Sequence, residues 1–422
     1  MAPTQEPKLP LQGQQVRGLK HLRRITSLLQ RLHVDATARD RAHNRKLFYD
    51  QYAALVLLAM FSPAIDSLRG IQQASDLPKV RKLLGCSRAS LGSLSEASRV
   101  FDPTLLLEVI AELGGQLAPL AKDPRLTGQV STTLTLCDGT LLKALPRLAE
   151  SMWKHSRTGN VMHGWRMHTQ FELDRHVPSD VRLTPYRCQG DEASVLLSNL
   201  RSGRCYVMDR GYFNYRLFDG IVRVGSDYVC RVKKTLCVID LIEQREPTAE
   251  ARAAGVVRDR VVHAGSTPDK RAGHRLRLVE VRVQVQPRGA RGEGKPHAPP
   301  KTEVLLIATN LLDVPAELIA LIYRYRWTVE LFFRFFKQIL GCRHLISDDP
   351  DGITIQCYCA VLACMLLQLW TGKRPDKAMH RMVNFYLCGW AGEDDVLAWI
   401  NKPDNAGVKL RAKDALWKKL GY

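Results

Sequence analysis

The chain has 422 residues, 45% hydrophobic and 25% charged, so it can bury several cores and is not disordered throughout. Lys and Arg outnumber Asp and Glu by 62 to 42, a net charge of +20 that attracts polyanions and makes nucleic acid the leading partner. The eleven cysteines lack paired spacing and fit free, mostly buried thiols in a reducing compartment.

The opening residues MAPTQEPKLP lack the basic-then-apolar layout of a secretory signal, so a cytoplasmic chain is expected. Residues 1–125 read as a helical region. Apolar residues recur at helical spacing over Val16–Leu32, Tyr52–Phe61 and Leu105–Leu117, and Asp102 is placed to cap the third before Pro103. Residues 1–50 carry 10 Lys/Arg against 4 Asp/Glu, a surplus of +6 suited to contacting DNA or to a solvated face.

The texture changes near Leu126. Strands are expected at Thr132–Asp138, Arg166–Leu173, Val177–Leu183, Cys205–Asp209 and Asp227–Val232, with helices at Glu192–Leu200 and Tyr215–Val224, a mixed α/β sheet over 126–233. Residues 234–303 contain no Phe, Tyr or Trp and read as a β-rich insertion with 11 Lys/Arg against 4 Asp/Glu over 251–300. Within it Arg275–Gln286 alternates but changes phase between Leu278 and Val279, which predicts a bulge. Residues 287–301 form a basic Gly/Pro loop.

Val304–Ala308 resumes an apolar strand and opens a second α/β part over 304–372. A long helical pattern runs from Pro315 to Leu340, with a turn possible near Tyr323 and a stop at Gly341. The apolar run Cys357–Trp370 is about 14 residues, too short for a bilayer, and reads as a buried helix. Residues 373–422 look helical and basic.

The pattern Ile322–Leu340 carries the most chemistry. At about 100° per residue, Tyr323, Arg326, Glu330, Arg334 and Lys337 share an arc of roughly 80°, while most other positions are apolar. One reading is an ordinary i±4 pair of Glu330 with Arg326 or Arg334. The other is a mostly immersed helix whose narrow charged stripe lines a cleft, the carboxylate holding a divalent cation and the basic groups holding phosphate oxygens. Such a site needs further acids. Asp138, in Asp138-Gly139-Thr140, and Asp209, in Asp209-Arg210-Gly211-Tyr212, each end a strand where α/β sheets present ligands, although a lone Asp there is equally a turn or cap residue. Cys357, Cys359 and Cys364 have the wrong spacing for a zinc site. His155, His163 and His168, with Lys154, Arg157 and Arg166, read as a basic patch or as surface residues; Lys143 and Arg147 fit a solvated turn or a phosphate contact.

Tyr323, Arg326, Glu330 and Lys337 have the Y-(2)-R-(3)-E-(6)-K spacing, and this resembles the signature of the IS-four type of insertion-sequence DDE transposases. The two acidic motifs are similar to that family's first and second, and the resemblance covers roughly residues 130–370. It implies a ribonuclease-H-like mixed sheet flanked by helices, with the β insertion between the second acid and the Glu. It implies that Asp138, Asp209 and Glu330 hold two Mg²⁺ ions, with Mn²⁺ as substitute. Tyr323, Arg326, Arg334, Lys337 and Arg210 would contact DNA. The partners implied are the terminal inverted repeats and target DNA, the assembly a synaptic homodimer, and the place the bacterial cytoplasm at the nucleoid, with no membrane. The alternative is a catalytically inactive or domesticated DNA-binding protein derived from such an enzyme; a structure-selective nuclease of the same fold is a third reading. Some relatives stack a flipped base on an aromatic residue of the β insertion. This insertion has none, and Trp327, beside the stripe, is expected to pack in the core.

Overall fold

The computed structural model describes residues 22–35, 45–62, 64–120, 123–143, 152–154, 161–185, 192–267, 270–285, 301–339, 347 and 349–402. The basic Gly/Pro loop, His155, Arg157, Arg147, the stop at Gly341 and the end of the C-terminal region lie outside the described residues, as do the side chains of Lys143, Lys154 and His163.

Helices come first: α1 (Leu22–Leu29), α2 (Tyr49–Phe61), α3 (Leu68–Asp76), α4 (Pro78–Leu84), α5 (Leu91–Val100) and α6 (Leu105–Gln116). Ser67 and Ser90 cap α3 and α5 by accepting from Gly70 N and Ser93 N. Asp102 does not cap α6. Its carboxylate accepts from the Thr104 backbone N–H and hydroxyl in a tight turn, and the helix starts after it. The α/β part follows as β1 (Thr133–Lys143), β2 (Met152–Lys154), β3 (Val161–Glu172), β4 (Val177–Pro185), α7 (Glu192–Leu197), β5 (Arg204–Met208), α8 (Tyr215–Arg223) and β6 (Asp227–Val232). The insertion supplies β7 (Val238–Arg245), α9 (Ala249–Ala253), β8 (Val256–Ala264) and β9 (Leu276–Val285). The chain then adds β10 (Lys301–Thr309), α10 (Ala316–Tyr325), α11 (Trp327–Ile339), α12 (Pro350–Thr371), α13 (Lys377–Leu387) and α14 (Glu393–Asn401).

The ten strands among the described residues join one sheet, in the order β2-β3-β1-β5-β6-β10-β9-β8-β7 with β4 also on β3. β1, β3 and β4 run antiparallel in succession, while β5 and β6 lie parallel to β1. The order β4-β3-β1-β5-β6, with α7 and α8 as the connections that parallel pairing requires, is the ribonuclease-H-like topology. The insertion does not form a sheet of its own. β9 pairs with β10 over nine consecutive positions, so β7–β9 extend the central sheet.

That continuity explains the phase change in β9, and no bulge sits there. Leu276 and Leu278 join the cluster beneath α8, whereas Val279 and Val281 join the cluster on the other face. The strand is covered on both faces where it crosses from one core to the other; the irregularity lies in its partner β8, between Val256 and Arg258.

The larger core joins the N-terminal helices, α10, α11 and α12 to the face of the sheet bearing Leu134 and Leu136. The smaller one packs α7 and α8 on the opposite face, against Cys137, Tyr206 and Met208. Helix α12 spans 22 residues and is apolar enough to cross a membrane, so length does not separate the two possibilities; burial does, because 89% of its most apolar window is covered by protein. Three of its polar side chains bond to nearby carbonyls: Gln368 donates to Arg175 O, Tyr358 to Val181 O at 3.2 Å and Cys359 to Ala53 O at 3.9 Å. Cys357, Cys359 and Cys364 are all buried there.

Candidate active site

β1 alternates Leu134, Leu136 and Asp138 on one face, so the acid stands where the apolar row would continue toward α11. The strand does not end at Asp138 but continues to Lys143 along β3. What ends is the parallel pairing with β5, whose last pair is Cys137 with Met208. Asp138 and Asp209 therefore follow immediately where two parallel strands part, the position at which such sheets offer ligands. Asp209 is also a cap: its Oδ1 accepts from Gly211 N at 2.8 Å and starts a tight turn over Arg210–Tyr212.

The long helical pattern is broken at Arg326, which separates α10 from α11. The Arg326 backbone itself stays helical, and its guanidinium reaches two acids. Its Nη1 donates to Asp138 Oδ2 and its Nη2 to Glu330 Oε1, both at 3.0 Å. The i,i+4 pair of an ordinary helix is thus present, but the same arginine also reaches an acid 188 positions earlier. Its side chain is 12% exposed and that of Glu330 33%. Burial pushes the Asp138 carboxyl up to about 6 against the pull of Arg326, and the nearby Asp209 and Glu330 charges push the same way. The structure thus brings Asp138, Asp209, Glu330 and Arg326 together.

The other residues of the pattern surround this group. Tyr323, half-buried, has its hydroxyl pKa raised by burial while Arg326 and Arg231 lower it, which places it beside the guanidinium. Arg210 is exposed next to Asp209, Arg334 is exposed on α11 and Lys337 is half-buried about two turns beyond Glu330. Trp327 is not in the core. It is 59% exposed, with the Arg326 guanidinium 5.6 Å from its ring centre. His168 is not on the surface either; it is buried on β3 against Thr184.

Among the described residues no three Asp, Glu, His or Cys side chains lie close enough to ligate one ion. The donor set nevertheless suits a hard divalent cation: all three acids offer oxygen, and a cationic group, the guanidinium, already bridges two of them. Sequence reasoning gave Glu192 no role beyond starting a helix and read Arg166 only as part of a basic patch or the surface. Glu192, at the start of α7, and Arg166, on β3, form an ion pair at 2.6 Å directly behind the two acidic motifs. No spacing within either segment signals it.

Residues 131–366 match the family model described as transposase DDE domain. A protein named transposase y4zB from Sinorhizobium fredii is 26% identical over 214 residues, 51% of this chain and 55% of that one. One named as the transposase of insertion sequence element IS5377 from Geobacillus stearothermophilus is 25% identical over 222 residues, 53% of each. One named for element IS4SA from Synechocystis sp. is 39% identical over 68 residues, 16% of this chain and 20% of that one. The chain spans about half the length of the first two relatives.

Proposed function

The chain belongs to the transposase DDE domain family, and from that premise we propose that it cuts the ends of an insertion sequence and joins the freed 3′-OH to target DNA. In this reading Asp138, Asp209 and Glu330 are the catalytic and metal-holding acids. The observation that carries it is the arginine-bridged meeting of Asp138 and Glu330 beside Asp209, at the point where β1 and β5 part.

Three carboxylates around one arginine leave the group short of positive charge. Bound Mg²⁺, or Mn²⁺ in its place, would stabilise the attacking and leaving oxygens of an in-line displacement. The chain's own residues do the rest. Arg326 holds the acids together in the absence of DNA and turns to a phosphate oxygen when the backbone enters. Tyr323 positions that guanidinium. Arg334, Lys337 and Arg210 hold further phosphates of double-stranded DNA, and these contacts set register without reading sequence. The exposed face of Trp327 offers a stacking surface to an unpaired base, a service the aromatic-free insertion does not provide. Cutting two ends in one event calls for a synaptic homodimer, and the work belongs at the bacterial nucleoid in the cytoplasm.

The test is nicking of a DNA fragment bearing the element's terminal inverted repeats, with and without Mg²⁺. Metal-dependent nicking followed by joining to a target is expected. DNA binding with no nicking at any Mg²⁺ or Mn²⁺ concentration would establish the inactive, DNA-binding alternative, and nicking without joining would establish a nuclease.

A further inference from the structure

Both acidic motifs place a glycine just after the acid, Gly139 after Asp138 and Gly211 two residues after Asp209. Neither glycine has a positive φ, so backbone conformation does not require them. Space does. A Cβ at Gly139 would lie 2.9 Å from Glu192 Oε1, and a Cβ at Gly211 would lie 2.7 Å from Glu192 Oε2. One carboxylate thus touches the backbone after each acid, with one oxygen on each side of the gap where β1 and β5 part.

The placement has an electrostatic cost. The Cβ position at Gly211 is also 3.1 Å from Asp209 Oδ1, so Glu192 and Asp209 crowd the same residue with like charges. Arg166 offsets this. Its Nη1 donates to Glu192 Oε1 at 2.6 Å, and its Cδ lies 3.5 Å from the Cβ position at Gly139. The glutamate side chain is 16% exposed and the arginine 33%, so the pair is partly desolvated and its geometry is worth more than that of a surface pair.

We propose that Glu192 is a positioning residue: with Arg166 as its counter-charge it braces the Asp138-Gly139 and Asp209–Gly211 segments, setting the separation of the two acids. The proposal rests on the reading of those acids as metal-holding, and it deepens that reading by naming what holds them apart. Residues that orient metal ligands without touching the ion typically govern affinity by 10–100-fold.

The experiment titrates Mn²⁺ into the DNA-free full chain and, in parallel, finds the Mg²⁺ concentration for half-maximal nicking. The variants are Glu192→Gln, Arg166→Met, the two combined, and Gly139→Ala, which pushes the carboxylate aside without altering it. A brace predicts that each single variant weakens Mn²⁺ binding by about tenfold or more. It also predicts that the double variant is no worse than the weaker single one, because one shared interaction is lost. Binding of element-end DNA should persist, which shows that the variants fold. A role exerted through charge alone gives opposite signs, weaker Mn²⁺ binding in Glu192→Gln and tighter in Arg166→Met; that result, or wild-type affinity in Glu192→Gln and Gly139→Ala, overturns the proposal. Absence of Mn²⁺ binding by the unaltered chain overturns instead the metal-holding role of the acids, and with it this inference.

Discussion

Arg277 is buried and Arg326 half-buried, and both hold carboxylates, but their surroundings differ. Arg277, on β9, gives two hydrogen bonds to Asp259 at 2.7 and 2.9 Å, and its Nη1 donates to the carbonyls of Leu311, Leu312 and Val314. The pair is 4% and 5% exposed. One cation meets one anion, and the remaining donors tie the insertion to the segment leading into α10. Arg326 bridges two acids with a third nearby, its Nε is buried without a partner, and Asp138 is pushed up to about 6 chiefly by burial. The first arrangement is saturated and serves the fold. The second carries surplus negative charge that another cation would relieve, which is the condition of a site built for a ligand. Substitutions in the two regions should therefore fail in opposite ways.

The largest effect is expected at the open site. Glu330→Gln keeps the shape and the Arg326 contact but removes the charge proposed to hold metal, and nicking should fall by on the order of 10³-fold while end binding and stability persist. Near-normal nicking would remove Glu330 from the chemistry. At the closed site the pattern reverses. Asp259→Asn leaves Arg277 buried without its anion and should cost about 3–5 kcal/mol in urea unfolding. Nicking per folded molecule should be unchanged, and a variant that unfolds normally but does not nick would contradict the division.

The difference between these regions also explains what could be read from the sequence. Asp138 was legible because an acid interrupts an apolar alternation, and Glu330 because its helix has so narrow a polar arc. Those are local patterns. The contact of Arg326 is not local: its guanidinium reaches a strand 188 positions away. The phase change in β9 looked like a bulge because alternation cannot distinguish a bulge from a strand that changes which face is core. The insertion's continuity with the central sheet was hidden because strand pairing partners leave no trace in an aromatic-free segment. The pairing of Glu192 with Arg166 was invisible because α7 and β3 must fold together before the two meet.

Asp138→Asn sharpens the comparison through pH. The carboxyl sits at about 6 in the folded chain and near 4 unfolded, so the folded state holds its proton more tightly. The stability this contributes is fully present below pH 4 and lost as pH rises through 6. The Asn variant has no such loss. Its stability should match the wild type near pH 4 and exceed it by about 2 kcal/mol above pH 6, after allowance for residual exposure. A stabilising loss of a site residue marks a position kept for function, whereas Asp259→Asn should destabilise throughout that range. An Asn variant no more stable than the wild type at pH 7 would mean that Arg326 fully offsets the crowding of acids.

The smallest effect concerns the rim. Lys337 lies half-buried on α11 beyond Glu330, and in the proposed reading its ammonium group meets a phosphate. Lys337→Ala should weaken binding of element-end DNA with little change in sequence preference, because phosphate contacts carry no sequence information. One neutralised phosphate fewer means one condensed counterion fewer released, so the slope of log K against log salt should become shallower by about 0.9. Glu330→Gln, measured in the same titration, should leave that slope unchanged. Equal slopes for Lys337→Ala and the wild type would place the lysine among the groups that support the fold, on the Arg277 side of the comparison.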